Sequence, residues 1–221
     1  NLVYANSTVG VRVSGATGSP TGTHVLVLGN TVYQPSATAL EITGGSKAVE
    51  VRDNILDAGA GYAIQVDADS VIDLVSDYNL LHAFGSGALG QLSGVTFTTL
   101  DDWYYNTLAD DHSVTGAPGF INPAGADGIL GYGGGVDHSA DDNFHFAAGS
   151  PAVDAGDPTY AFLSELQPNG GRVNLGFDGN TPQTALSTSP AVLLRSPSGH
   201  QRLTVGRATT IQWGSTDLDL L

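Results

Sequence analysis

The sequence predicts an all-β chain wound as a right-handed parallel β-helix, with three short strands in each coil of roughly 24 residues and a loop-rich C-terminal cap. Three observations predict this fold. An asparagine followed by mostly apolar residues recurs at spacings of 29, 24 and 25 residues. The short apolar runs between these asparagines alternate with a period of two, as half-buried strands do. Glycine is frequent, at 30 of 221 residues, whereas methionine is absent, so long helices are disfavoured.

The coils are expected to occupy residues 1–94, with three strands in the same order in each coil. The first strands are Leu2–Tyr4, Thr31–Tyr33, Ile55–Asp57 and Leu80–His82. The second strands are Val11–Val13, Leu40–Ile42 and Ile64–Val66, and the third are Val25–Val27, Val49–Val51 and Ile72–Leu74. Stacking the coils at about 4.8 Å buries their inward side chains as continuous ladders, which a single coil cannot do. The right hand follows from the chirality of parallel crossovers.

One asparagine precedes the first strand of every coil: Asn1, Asn30, Asn54 and Asn79. An inward asparagine can bond backbone groups at a corner and stack on the asparagine of the next coil. We therefore predict an asparagine ladder, with ordinary turn residues as the alternative.

Residues 95–180 break the repeat and are expected to cap the β-helix, because an open end would expose core and unpaired strand edges. A short helix is predicted over 98–105, with Thr99 as its N-cap and Asp101 and Asp102 in its first turn. Leu175 and Phe177 are expected to belong to this cap.

The coils and cap resemble the C-terminal part of right-handed β-helices of the pectate-lyase-like superfamily in secreted bacterial proteins. The resemblance covers about 185 residues. It rests on six segments of the chain: 77–81, 100–103, 117–123, 143–146, 149–158 and 168–176. It implies a secreted or cell-surface protein. It implies little about activity, because the superfamily includes lyases, hydrolases, epimerases and non-enzymes.

A second resemblance begins after a Thr-, Ser- and Pro-containing linker at residues 181–190. Residues 191–221 resemble the opening strands of an immunoglobulin-like module, on the segments 196–199, 203–206 and 210–213. This stretch is too short for a sandwich of about 100 residues. The chain is therefore expected to continue into other domains of a longer protein.

The net charge of −15 arises from seven basic and 22 acidic residues. Such a surface disfavours nucleic acid and anionic membranes as partners, because both require clustered lysine and arginine. The longest apolar runs are too short for a membrane span. The chain has no cysteine, which excludes disulfides, thiol catalysis and cysteine-ligated metals.

Two sets of residues are candidates for binding. Asp137, Asp141 and Asp142 cluster oxygen donors that suit Ca²⁺ as a cofactor, with a solvated acidic loop as the alternative. Trp103, Tyr104 and Tyr105 form either a sugar-stacking platform or the apolar plug of the cap.

No complete catalytic set is present in the sequence. The sequence indicates no column of like functional residues across successive coils, which polysaccharide cleavage on a sheet face requires. The first functional hypothesis is therefore a structural or adhesive scaffold. The second is a polysaccharide-binding or lyase-type polysaccharide-degrading β-helix whose catalytic coils lie partly outside this chain. Whether the chain is an enzyme is left open.

Overall fold

A computed structural model of the chain describes residues 1–147, 149–188 and 191–216. It confirms an all-β architecture of about four stacked coils with parallel strands. Three sheets run along the coils. Sheet 1 contains β1 (Leu2–Tyr4), β4 (Thr31–Gln34), β7 (Ile55–Ala58) and β10 (Leu80–Ala83). Sheet 2 contains β2 (Val9–Ser14), β5 (Thr38–Thr43), β8 (Tyr62–Val66), β11 (Ala88–Leu92) and the antiparallel β12 (Val95–Phe97). Sheet 3 contains β3 (Val25–Leu28), β6 (Val49–Arg52) and β9 (Val75–Asp77).

The third strand of the third coil is not where the sequence pattern placed it. We predicted Ile72–Leu74, whereas the strand is Val75–Asp77, with Glu50 opposite Val75 in the register. Turns at Asp67–Ser70 and Val71–Leu74 fill the predicted position, and Asp73 has a φ of 54°. This left-handed conformation is incompatible with a strand, so the apolar pattern there marks an inserted turn.

The predicted asparagine ladder is confirmed. The Nδ2 atom of each asparagine donates to Oδ1 of the next along the coils, at 2.8 Å from Asn1 to Asn30, 2.9 Å from Asn30 to Asn54 and 3.0 Å from Asn54 to Asn79. Asn54 and Asn79 are fully buried. Their amides also donate to the carbonyls of Val27 and Val51. The ladder therefore satisfies corner groups that water cannot reach.

The ladder ends on Asp110, a fully buried residue of the cap. Its Oδ1 accepts hydrogen bonds from Asn79 Nδ2 at 3.1 Å and from the hydroxyls of Ser76 and Ser113. Its Oδ2 accepts from the indole N–H of Trp103 at 2.8 Å. Burial raises the pKa of Asp110, and these donors oppose that effect by stabilising its charged form. Asp110 thus joins the coils to the cap.

The capping helix is α1 (Leu100–Thr107), and the hydroxyl of Thr99 accepts from the backbone N–H of Asp102, as predicted for its N-cap. Leu175 is fully buried, as expected for a cap residue. It packs with Ile55 and Leu80 of sheet 1 in a second apolar cluster outside the coils. The described residues form no helix with the length and apolar character that crossing a membrane requires.

The remaining elements are short. They are β13 (Phe120–Asn122), β14 (Tyr132–Gly133), β15 (Val136–Asp137), a 3₁₀ turn (Ser139–Asp141), β16 (Asn143–Phe146), β17 (Ala191–Ser196) and β18 (Gln212–Thr216). The last two strands form an antiparallel hairpin. The immunoglobulin-like start at 191–221 and the boundaries at 94, 180 and 190 stay predictions, and residues 189–190 and 217–221 lie outside the described residues.

A buried electrostatic contact fastens the cap to sheet 3. The guanidinium of Arg52 pairs with the carboxylate of Asp157, and Asp53 Oδ1 accepts the backbone N–H of Asp157 at 2.7 Å. Burial raises the pKa of Asp53 to about 6, because desolvation outweighs the hydrogen bond from Asp157 and the nearby arginines. The folded state therefore favours the neutral carboxyl of Asp53.

Because of this raised pKa, we expect Asp53 to stabilise the folded protein more at acidic pH than at neutral pH. The contribution of Asp53 to the free energy of unfolding is complete below about pH 4, the pKa of an aspartate in the unfolded chain. It is lost as the pH rises through about 6, the pKa of Asp53 in the folded chain. We expect the wild type to lose about 3 kcal/mol relative to Asp53→Asn over this interval. Asparagine tolerates the φ of 57° at this position and keeps an acceptor for Asp157. Urea unfolding at a series of pH values measures the difference, and parallel pH profiles for the two proteins would contradict it.

Candidate functional site

Four side chains form a column on the outer face of sheet 1. The register pairs Tyr4 with Tyr33, Tyr33 with Asp57, and Asp57 with His82. Each residue occupies the third strand position after a ladder asparagine, so the coil repeat itself brings the four together. Their neighbours two residues earlier, such as Ile55 and Leu80, share this outer face but are covered by the cap. The column therefore lies at the border between the cap and the exposed face.

Asp57 and His82 are hydrogen-bonded partners at one end of this column. His82 Nδ1 lies 2.7 Å from Asp57 Oδ1, and the aspartate side chain is only 3% exposed. Burial raises the pKa of Asp57, while the hydrogen bond from His82 opposes the rise. When Asp57 is ionised its carboxylate only accepts hydrogen bonds, so Nδ1 of His82 is the donor in this contact and Nε2 is the ring nitrogen left for a ligand. Within the described residues Nε2 has no hydrogen-bond partner.

Aromatic rings surround this pair. Phe84 stacks on Tyr33, with ring centres 5.8 Å apart, and on His82, with centres 6.0 Å apart. Phe120 meets Tyr33 edge to face at 5.9 Å. Burial, and secondarily the charge of Asp57, raises the pKa of Tyr33, so its phenol stays a proton donor at neutral pH. The site thus combines apolar ring faces with one acceptor and one donor.

The opposite wall is the cap segment 117–123, which forms an open cleft of about 280 Å³ with Tyr33, Asp57, His82 and Phe84. This volume lies near the lower end for small-molecule sites. The hydroxyl of Ser150 donates to the carbonyl of Pro118 at 2.6 Å, and the backbone N–H of Ala147 donates to Gly119. These bonds fix the wall to the cap, so the cleft is largely pre-formed.

The three residues of the predicted sugar platform differ in their burial and contacts. Trp103 is fully buried, packs on Phe97 and donates its indole N–H to Asp110. The prediction that Trp103 stacks on a sugar is wrong, because a sugar ring cannot contact a fully buried indole. The alternative prediction, an apolar plug of the cap, describes Trp103. Tyr104 stacks on His200 at 3.9 Å, and Tyr105 is 63% exposed. Substrate binding by these two tyrosines stays a prediction.

The three candidate metal ligands lie in one loop, but each accepts hydrogen bonds from different backbone N–H groups. Asp141 Oδ2 accepts from Ala126 and Asp127, Asp142 Oδ2 accepts from Gly131, and Asp137 Oδ1 accepts from Ser139. Among the described residues there is no group of three or more histidines or acids arranged to hold a metal ion. Calcium binding by these aspartates stays a prediction that a calcium titration can test.

This column on sheet 1 was not predicted from the sequence. The outward positions considered from the sequence were Arg12, Glu41 and Gln65 of the second strands and Glu50 and Asp73 of the third. Of these, Arg12, Glu41 and Gln65 are in register on sheet 2, and Arg12 pairs with Glu41. The column of sheet 1 was visible in the same repeat alignment, at the position after Val3, Val32, Leu56 and Leu81. A run of Tyr, Tyr, Asp and His at equivalent positions was the signal that should have been recognised.

No protein-family model, curated protein or solved structure matches this chain.

Proposed function

We propose that this chain is part of an extracellular β-helix that binds an uncharged polysaccharide along the outer face of sheet 1. The observation that carries the proposal is the in-register column of Tyr33, Asp57 and His82 beside a pre-formed cleft. Secretion and membership of the pectate-lyase-like superfamily belong to the same proposal, and rest on the sequence resemblance together with the parallel coils.

The chemistry of the cleft favours a sugar. Pyranose rings present an apolar face that packs on aromatic rings, and hydroxyls that both donate and accept hydrogen bonds. Tyr33 and Phe84 supply ring faces, the Tyr33 phenol supplies a donor and His82 Nε2 supplies an acceptor. Because successive coils are about 4.8 Å apart, an extended chain parallel to the coil axis can contact several of them.

The charge of the site favours a neutral polymer. Asp57 lies within the column, and the chain carries a net charge of −15. Both repel a polyanion. Among the described residues, none of those lining the cleft is an arginine or a lysine. An acidic polysaccharide would therefore require a bridging cation, whereas a neutral one would not.

A polysaccharide array with added calcium or EDTA tests this proposal. We expect binding of neutral glycans in both conditions, and a loss of about tenfold or more in affinity for Tyr33→Ala and His82→Asn. Asparagine can still donate to Asp57 but lacks the free ring nitrogen. His145→Asn is the matched control, since His145 also pairs with a buried aspartate, Asp178, and lies outside the cleft.

Binding that EDTA abolishes would contradict a site that works without a cation and favour calcium at Asp137, Asp141 and Asp142. No binding in either condition would favour the second candidate, a structural or adhesive scaffold. The buried asparagine ladder supports that second function, because it stiffens the stack of coils through a continuous row of hydrogen bonds.

A further inference from the structure

The cleft beside the sheet 1 column has one polar side and one apolar side. The polar side holds the hydrogen-bonded pair of Asp57 and His82. The other side is the wall formed by the cap segment 117–123. The described residues of this wall that line the cleft have no polar side-chain atom: Ala117, Pro118, Gly119, Phe120 and Pro123. A ligand in the cleft therefore meets the side-chain hydrogen-bonding groups of Asp57 and His82 on one side and apolar atoms on the other.

The backbone of the wall adds little for a ligand to bond. Proline has no N–H, so Pro118 and Pro123 donate no hydrogen bond. The carbonyl of Pro118 accepts from the hydroxyl of Ser150 at 2.6 Å, and that of Gly119 accepts from the backbone N–H of Ala147 at 2.7 Å. A ligand hydroxyl placed against this wall would leave water without gaining a partner, which costs free energy. The part of the ligand that contacts the wall is therefore apolar.

The polar side requires a hydrogen-bonding group on the same ligand. Nδ1 of His82 is engaged with Asp57 at 2.7 Å, and Nε2 has no partner within the described part of the chain. Nε2 is not one of the buried side-chain atoms without a partner in that part of the chain, so it is open to a ligand. A neutral imidazole accepts a hydrogen bond at Nε2 and a protonated one donates it. An amide group has both an N–H and a C=O, so it fits both states.

The size and the aromatic rings of the cleft suit one substituted sugar unit. Its volume of about 280 Å³ is near the lower end for small-molecule sites. The ring of Phe84 lies beside His82, with ring centres 6.0 Å apart, and beside Tyr33, with centres 5.8 Å apart. A sugar ring that packs on this aromatic surface brings its substituents next to Nε2 and the wall.

We propose that the cleft recognises an N-acetylated sugar, with the acetamido methyl against the wall and the amide bonded to Nε2 of His82. This inference rests on the proposed function, because it names the sugar that the polysaccharide site selects. The acetamido group joins a methyl directly to an amide, so it matches both sides of the cleft. It is also uncharged, as the acidic chain favours. A plain hydroxyl matches only the polar side.

Three methyl glycosides that differ only in one substituent test this inference on the full chain: those of glucose, N-formylglucosamine and N-acetylglucosamine. Ligand-observed NMR titration measures their dissociation constants. We expect the acetamido sugar to bind about fourfold more tightly than the formamido sugar, which lacks only the methyl. We expect it to bind about tenfold more tightly than the glucoside. Saturation transferred from the protein should be strongest at the acetamido methyl.

Two alanines of the cap provide matched variants for the wall. Ala117 and Ala126 are both exposed, and only Ala117 lines the cleft. Ala117→Asn places a polar amide in the wall, so the acetamido and formamido sugars should bind within about twofold of each other. Ala126→Asn should keep the fourfold preference. His82→Asn, which removes Nε2, should weaken binding of both amides at least about tenfold.

Each possible failure has a distinct result. Equal binding of the three glycosides would overturn the preference for an N-acetylated sugar and leave the neutral-glycan site in place. Equal binding of the two amides, or the same loss of preference in Ala117→Asn and Ala126→Asn, would overturn the contact between methyl and wall. Unchanged binding of the amides by His82→Asn would overturn the bond to Nε2. No binding of any glycoside at tens of millimolar would overturn the inference together with the proposed function.

Discussion

Replacing Asp110 with alanine is expected to lower the free energy of unfolding by about 4 kcal/mol. The carboxylate accepts hydrogen bonds from the Trp103 indole, the Asn79 amide and two serine hydroxyls. Alanine leaves the indole N–H and the end of the ladder without an acceptor in a site closed to water. It also places a residue that disfavours positive φ at an angle of 61°. Urea unfolding monitored by Trp103 fluorescence and by circular dichroism measures the loss.

Asp110→Asn is the matched control for that experiment. Its amide oxygen can still accept from Asn79, Ser76 and Ser113, while its amide nitrogen faces the indole N–H of Trp103 and creates one donor–donor conflict. We expect a loss of about 1–2 kcal/mol for asparagine, clearly smaller than that for alanine. If the alanine variant were as stable as the wild type, Asp110 would not be the residue that joins the ladder to the cap.

The second large effect is expected from replacing a buried asparagine of the ladder. Asn54→Ala should cost about 3–4 kcal/mol. It removes the side-chain donor to the carbonyl of Val27 and to Oδ1 of Asn79, which then keeps only the backbone N–H of residue 54, and it removes the acceptor of the backbone N–H of Asn30. All three groups lie in the interior of the corner. The loss should appear as a lower denaturant midpoint with an unchanged slope, since the surface exposed on unfolding is nearly the same.

Asn1→Ala is the control at the exposed end of the same ladder. The Asn1 side chain makes a single ladder bond, to Asn30, and is exposed to solvent. Water can replace that bond, so the expected loss is below about 1 kcal/mol. Equal losses for Asn1→Ala and Asn54→Ala would show that burial of the ladder contributes nothing to its stabilising effect.

These two residues show what kind of information the sequence carries. Asn54 was predicted to belong to a ladder because its role repeats in every coil, and a repeat places equivalent residues in register. Asp110 has no equivalent in the coils, and no pattern marks it as the end of the ladder. Its position follows from the way the cap folds back onto the last coil.

The candidate site also combines a feature that the repeat predicts with one that depends on how the cap folds. The repeat fixes that Tyr33, Asp57 and His82 are neighbours on sheet 1, and this could have been recognised from the aligned first strands. The cleft beside them could not, because its other wall is the irregular segment 117–123, positioned by bonds from Ser150 and Ala147. The burial of Trp103, which the sequence left open between a platform and a plug, was likewise decided by packing against β12.

By itself, the sequence determined the all-β class, the stacked parallel coils, the asparagine ladder and the N-cap at Thr99, because each of these follows from a short pattern or from its repetition. The tertiary structure decided the shifted strand at Val75–Asp77, the open cleft beside the pair of Asp57 and His82, and the contact between Arg52 and Asp157, which are 105 residues apart. These features depend on how irregular segments dock on the coils, and docking is set by burial and hydrogen bonding between parts of the chain that no local pattern connects.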